Sequence, residues 1–295
     1  MDRRTFVQGS LIGGTAAAFT GCKVMEAVAV GTGTLTEEEA KSLTRVGKAV
    51  AKTFQDFTPE QEYYVGRTVG ANILQAYKPY NHAESNYYIN QVGQSLALFS
   101  DVPETFGGYH FQILDSMDIN AFAAPGGLIF VTRGMIKCCG NEDALAAVLA
   151  HEIAHVQLKH GLRAIKKSRI TEAITILATE AAKNASGAEF RALAENFEGS
   201  ISDITSKMIN SGYSRSFEKE ADLVAVTILE RSGYSTGGMK QMLTQMEKNL
   251  KPGGKDFFKT HPKPAKRKSL LAGKLVDKAI PEVRTKRFAT NSKNV

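Results

Sequence analysis

Residues 151–155 read His-Glu-Ile-Ala-His, and no other feature restricts the fold of the chain so tightly. Two imidazoles four positions apart reach one cation only if the segment is α-helical, because only then do they share a face one turn apart. Glu152 then stands beside the first imidazole, where a carboxylate can touch a water bound to that cation. The flanking sequence supplies the helix. Asn141 followed by Glu142 and Asp143 is an N-terminal cap with acids in the first turn, and the apolar positions Leu149, Ile153 and Val156 lead to a stop signal at Gly161. One helix from Asn141 to Gly161 is the expected element. Burying two imidazoles and a carboxylate among those apolar residues is costly without a metal or polar partners, which argues against a merely structural pair.

A catalytic zinc takes three protein ligands and leaves one position for water. His160 lies five residues beyond His155, about 140° around the helix, and is expected to point away from the metal face. The metzincin spacing fails as well, since Leu158 and Gly161 stand where that class has Gly and His. A remote acid is therefore needed, and Glu172, Glu180, Glu218 and Glu220 are candidates. In the stretch Ser214-Arg215-Ser216-Phe217-Glu218-Lys219-Glu220-Ala221-Asp222, Glu218 and Asp222 share a helical face, whereas Glu220 lies about 200° from Glu218. One carboxylate of that pair can bind the ion while the other accepts the second N–H of a ligand imidazole. An acidic solvated face pairing with Arg215 and Lys219 fits the same residues, and periodicity does not choose between them.

The remainder reads as an α+β chain, mostly helical with one small sheet. Thr36 with Glu39, and Thr58-Pro59 with Gln61, are capping boxes that open predicted helices at 36–55 and 59–77. A third helix is predicted at 83–99. Short strands are predicted at 109–114, 119–124 and 128–132, the last two separated by Pro125-Gly126-Gly127. Further helices are expected at 163–184, 187–209, 215–231 and 236–249. A mean hydropathy of -0.20 and 43% hydrophobic residues describe a globular body. Beyond residue 31 no uncharged apolar run of about 18 residues occurs, which excludes a polytopic membrane protein.

The N-terminus carries an address. Arg3-Arg4-Thr5-Phe6, an apolar stretch from Leu11 to Phe19 and Thr20-Gly21-Cys22 resemble a twin-arginine export signal ending in a lipobox, with lipidation expected at Cys22. Residues 1–21 are thus read as signal, 22–57 as an anchor-proximal segment with a helix, 58–270 as the catalytic domain and 271–295 as a basic tail. Lys23 and Val24 after the Cys lean towards the outer membrane. Cys138 and Cys139 are adjacent, so a disulfide between them would be strained and buried thiols are expected. The formal charge of +7 is carried by the C-terminal segment, where 13 Lys and Arg face three acids over residues 251–295. With few aromatics among them, a solvated or anionic-membrane-facing tail is expected rather than nucleic-acid binding.

His-Glu-x-x-His followed some sixty residues later by Glu218-x-x-x-Asp222, in the local form Ser-Arg-x-x-Glu-x-Glu-Ala-Asp, resembles the gluzincin metallopeptidases of the CAAX prenyl protease and HtpX-type heat-shock protease family. The closest branch is that of periplasmic lipoproteins and the beta-barrel assembly-enhancing protease, without its tetratricopeptide repeats. Asn120 to Gly127 followed by Ile129-Phe130-Val131 resembles the family's strand pair, and Thr260-His261-Pro262 with Arg267 its downstream element. The resemblance implies a zincin-like domain with a small mixed sheet beside the active helix and one Zn2+ per chain held by His151, His155 and Glu218. It implies Glu152 as base, Asp222 behind a ligand His, and His261 as either a stabiliser of the oxyanion or an occupant of the open metal position at rest. It also implies Asn120, Ala121, Phe122, Ala123 and Arg267 as substrate contacts, with the peptide added as an extra strand. The expected substrates are unfolded or misassembled envelope polypeptides.

Overall fold

The Thr58 capping box forms in full: the Gln61 N–H donates to Thr58 Oγ1 at 3.2 Å and the Thr58 N–H donates to Gln61 Oε1 at 3.1 Å. In this computed structural model the box opens α1 (Pro59–Ala76), which is followed by α2 (Ala83–Ala97). The structure describes residues 57–165, 205–206, 209–210, 212–249 and 261–295. The export signal, Cys22, the helix at 36–55, Glu172, Glu180, Thr260 and most of the two helices expected between 163 and 209 lie outside them. The described residues belong to one compact unit formed by 57–165 and 198–295.

Strands β1 (His110–Leu114), β2 (Ala121–Ala124) and β3 (Leu128–Thr132) form a mixed sheet in the order β1-β3-β2, with β1 parallel and β2 antiparallel to β3. Between β2 and β3 the chain turns through Pro125-Gly126-Gly127, with φ of 75° at Gly126 and 100° at Gly127, values that glycine adopts without steric cost. Helix α1 lies against this turn at Gly66, where an added Cβ would sit 1.8 Å from the Pro125 carbonyl oxygen. Gly66→Ala is therefore expected to push the helix off the turn and to lower stability by about 1–3 kcal/mol, read as a fall in the denaturant midpoint.

Helix α3 (Arg133–Cys139), which no sequence signal announced, ends at Gly140 in the left-handed conformation. It leads into α4 (Glu142–Gln157), capped by Asn141 and buried from Glu142 to Val156. A helix buried on every side belongs in the centre of a fold, and α2, β2, α5 (Arg215–Arg231) and α6 (Gly237–Asn249) all pack on it. Leu145, Leu149 and Ile153 are fully buried there, each stabilising the fold by about 1.5–3 kcal/mol. Cys138 and Cys139 are free buried thiols, as expected, and burial raises the pKa of both. Among the described residues no helix is long and apolar enough to cross a membrane.

Two expectations are corrected. The active helix stops at Gln157 rather than Gly161, because Lys159 turns left-handed at φ 53° before a further helical segment at 160–165. The basic C-terminal segment is no solvated tail: it folds as α7 (Pro264–Leu270) and α8 (Glu282–Ser292). From it, Arg287 forks onto Glu142, Arg284 reaches Asp143 at 3.3 Å, and Val295 is 2% exposed. Composition counted these cations but held no information about the buried acids they meet.

Candidate metal centre

Helix α4 delivers His151 and His155, one turn apart, to a point that α5 meets with Glu218. Ser214 caps α5 by accepting the Phe217 N–H at 3.4 Å, which sets the register that aims Glu218 and Asp222 inward. His261 arrives just before α7. One ligand atom from each of His151, His155, Glu218 and His261 lies within 4.8 Å of the others, and all four residues are buried. Nε2 of His155 is 3.1 Å from Nε2 of His151, and Glu218 lies 3.4 Å from each, through Oε1 to His155 and Oε2 to His151.

These separations bear on whether the residues fit an ion. Four donors about 2.0–2.1 Å from a tetrahedral zinc stand about 3.3–3.4 Å from one another, close to the 3.1 Å between the two imidazoles and the 3.4 Å from each to a Glu218 oxygen, a different oxygen for each. Proton placement agrees. His151 Nδ1 faces Asp222 Oδ1 at 3.0 Å, and a carboxylate only accepts, so Nδ1 carries a proton and Nε2 is the atom turned to the centre, its lone pair open to an ion once the ring is neutral. His155 Nδ1 is likewise engaged, 2.8 Å from His160 Nδ1. Two imidazole Nε2 atoms turned towards each other and towards a carboxylate in a buried site suit a divalent cation.

The electrostatics are those of a tightly linked cluster. Burial and the Arg267 guanidinium oppose protonation of His151, but its hydrogen bonds to Asp222 and Glu218 outweigh them and raise its pKa to about 9. Burial likewise opposes the charge on Glu218, yet His261, His151 and His155 hold its carboxyl well below the usual range. His261 Nδ1 donates to Glu218 Oε2 at 2.5 Å, while burial lowers its own pKa. For Asp222 burial is again outweighed, by Arg267 and His151, and the carboxyl stays ionised far below its ordinary range. Burial drives His160 down to about 3, so that ring is neutral. Glu152 is 1% exposed and its Oε1 makes no hydrogen bond to any described residue. Its charge reaches Tyr213 and His261.

The expected substrate contacts divide. Strand β2 is an edge strand among the described residues, and the pairing of Asn120, Phe122 and Ala124 towards β3 leaves the backbone groups of Ala121 and Ala123 facing outwards. Asn120 is 0% exposed and Arg267 is 2% exposed. Asn120 Oδ1 accepts the Ala121 N–H at 3.0 Å. Arg267 donates to Asp222 from Nη2 at 2.6 Å and from Nε at 2.9 Å. Both side chains thus hold the frame of the site, Asn120 at the head of β2 and Arg267 through its clamp on Asp222. His160 does not point away from the site but backs His155, and Glu220 lies outside the metal cluster on Arg163 and His160. Tyr213 escaped sequence reasoning altogether: its ring stacks on His155 at 4.6 Å and its hydroxyl donates to the outward Ala123 carbonyl at 3.3 Å. Its place directly before the Ser214 cap was the one available signal.

Comparison with known proteins agrees with this geometry. The model of peptidase family M48 matches residues 83–274. The chain is 27% identical over 236 residues to the beta-barrel assembly-enhancing protease of Escherichia coli K12, covering 78% of this chain and 46% of that protein. It is 27% identical over 224 residues to the mitochondrial metalloendopeptidase OMA1 of Schizosaccharomyces pombe, covering 74% and 58%. To the metalloprotease YcaL of Escherichia coli K12 it is 31% identical over 130 residues, covering 44% and 48%. The chain spans about half the length of the curated relatives it matches, 46% in the first case. Since the matched region runs from the start of α2 past the helix that carries Arg267 and takes in every donor of the buried cluster, the chain belongs to peptidase family M48.

Proposed function

We propose that the chain is a zinc-dependent endopeptidase in which His151, His155 and Glu218 hold the ion and Glu152 is the general base. The observation that carries this is the convergence of buried donors within 4.8 Å beside a buried carboxylate oxygen with no hydrogen-bond partner among the described residues. Zinc, when bound, supplies Lewis acidity, polarising a peptide carbonyl and lowering the pKa of a water towards about 7. Glu152 Oε1 takes the proton of the attacking water and passes it to the leaving amine nitrogen. Asp222, clamped by Arg267, keeps the proton of His151 on Nδ1. The outward backbone of Ala121 and Ala123 receives the substrate as an added strand, Phe122 supporting that edge from within.

The substrates we infer are unfolded or misassembled envelope polypeptides, which present extended backbone, and the location the periplasmic face of the envelope with a lipid on Cys22. His261 is the fourth donor, hydrogen-bonded to Glu218, and a fourth protein donor describes a resting site. That contact also favours a second reading, a lipid-anchored assembly factor whose metal centre is held inactive. His261→Ala separates the two: cleavage of a denatured protein that rises in the variant supports a gated enzyme, and no turnover in either form supports the assembly factor.

Metal content tests the main reading. Wild-type protein is expected to hold one zinc per chain and Glu218→Ala almost none, whereas a wild type that binds no zinc would sink it. The pH dependence follows from His151, whose pKa is raised to about 9 without an ion. At lower pH a proton holds the position the ion needs, so zinc affinity should rise about tenfold per unit from pH 7 to pH 9 and level off above, as titration across that range would show.

A further inference from the structure

His160 and Glu220, which spacing sets aside as ligands, are joined to each other and to the back of His155. The left-handed turn at Lys159 folds the chain so that His160 Nδ1 comes within 2.8 Å of His155 Nδ1. On its far side His160 Nε2 lies 3.3 Å from Glu220 Oε2, and Arg163 Nη1 holds that same oxygen at 2.6 Å. The His160 ring is 0% exposed and lies flat on Phe217, with centroids 4.4 Å apart and planes 2° from parallel. Phe217 and Glu220 flank Glu218 on α5, so one helix supplies both a donor of the cluster and the support of a neighbouring donor.

One proton pattern satisfies the row. The Glu220 carboxylate only accepts, so His160 Nε2 carries a proton and donates to it. The remaining nitrogen of a neutral His160 ring, Nδ1, then accepts, and the donor it faces is the N–H at His155 Nδ1. That leaves the lone pair of His155 on Nε2, the atom turned towards His151 and Glu218. Only this direction of donation suits both the carboxylate at one end and a cation at the other.

We infer that His160 is a positioning residue for the metal centre, held by Glu220 and Arg163, that fixes the tautomer and ring angle of His155. The two histidines of the motif are then served unequally: His151 is backed by a carboxylate, Asp222, and His155 by a neutral imidazole. A carboxylate raises the basicity of a ligand imidazole more than a neutral acceptor does. Support from His160 therefore sets geometry with little gain in negative charge, and the ion keeps more of its acidity for a substrate carbonyl. The inference rests on His155 being a ligand, the reading proposed above.

The test uses the full chain with zinc and, separately, with cobalt(II) as a spectroscopic probe. Zinc affinity, measured by competition with a chromophoric chelator, is expected to fall about 10- to 100-fold in His160→Ala, with a changed visible absorption of the cobalt form. His160→Phe keeps the stacking on Phe217 and removes the acceptor, and should fall as far, so it carries the test should the Ala variant fail to fold. His160→Asn places an amide oxygen near the position of Nδ1 and is expected to restore most of the affinity and the wild-type cobalt spectrum. Wild-type affinity and spectrum in His160→Phe, or equal weakening in the Phe and Asn variants, would overturn the positioning role. A wild type that binds neither metal would instead overturn the metal reading beneath it.

Discussion

Replacing Glu152 by Gln should reduce cleavage of an unfolded polypeptide about 1000-fold or more, roughly 4 kcal/mol of barrier, while zinc content stays at one per chain. Gln has the same shape but no basic oxygen, so the loss isolates proton transfer from binding. The stability of the variant makes the prediction sharper. Glu152 is buried and its Oε1 makes no hydrogen bond to a described residue, so the isosteric amide breaks no described bond of that oxygen and the metal-free unfolding midpoint should stay close to wild type. A change that leaves the fold intact and abolishes turnover marks a group kept for chemistry. Unchanged cleavage would remove Glu152 from the mechanism, and loss of zinc would make it a ligand instead of a base.

The second large effect concerns stability. At the first turn of α4, Glu142 is 0% and Asp143 1% exposed. Tyr88 and Tyr234 each donate to Glu142 at 3.0 Å, Arg287 Nε donates at 2.7 Å, and the Ser235 N–H donates to Asp143 at 3.0 Å. Arg287→Ala leaves a buried carboxylate with two neutral donors and no counter-charge. Breaking a buried pair costs about 3–5 kcal/mol, and since Arg287 is itself partly exposed the lower end, about 3 kcal/mol, is expected in the denaturant midpoint. Deleting residues 281–295 removes Arg284 and the buried Phe288 and Val295 as well, and no cooperative unfolding transition should remain. Lys286→Ala is the control: its pair with Glu282 is exposed on both sides and should contribute less than about 0.5 kcal/mol. Equal effects at Lys286 and Arg287 would show that the buried acids tolerate their charge unaided.

What sequence reasoning reached was local or periodic. The box at Thr58 and the cap at Asn141 put helix starts within a residue of their places, because a cap is satisfied by neighbours three positions away. Spacing of four put His151 with His155 and Glu218 with Asp222, and the three short strands were visible as apolar runs. What escaped was decided at long range. Nothing in Leu158-Lys159 marks a helix end, and the break is stabilised from outside, by the Lys159 ion pair to Glu62 at 3.2 Å and the stacking of His160 on Phe217. Helical arithmetic, valid only while the helix continues, therefore put His160 on the wrong side. Arg284 and Arg287 read as solvated cations because their carboxylate partners lie 141 and 145 residues away.

The clasp between α8 and the start of α4 also orders events in time. A ribosome releases Glu142 145 residues before Arg287, an interval of roughly 7–30 s at ordinary synthesis rates of about 5–20 residues per second. Until Arg284 and Arg287 emerge, the helix that bears His151 and His155 has two acids at its head without their guanidinium partners. The helix that carries His151 and His155 therefore gains its Arg287 contact long after its own residues have been synthesised.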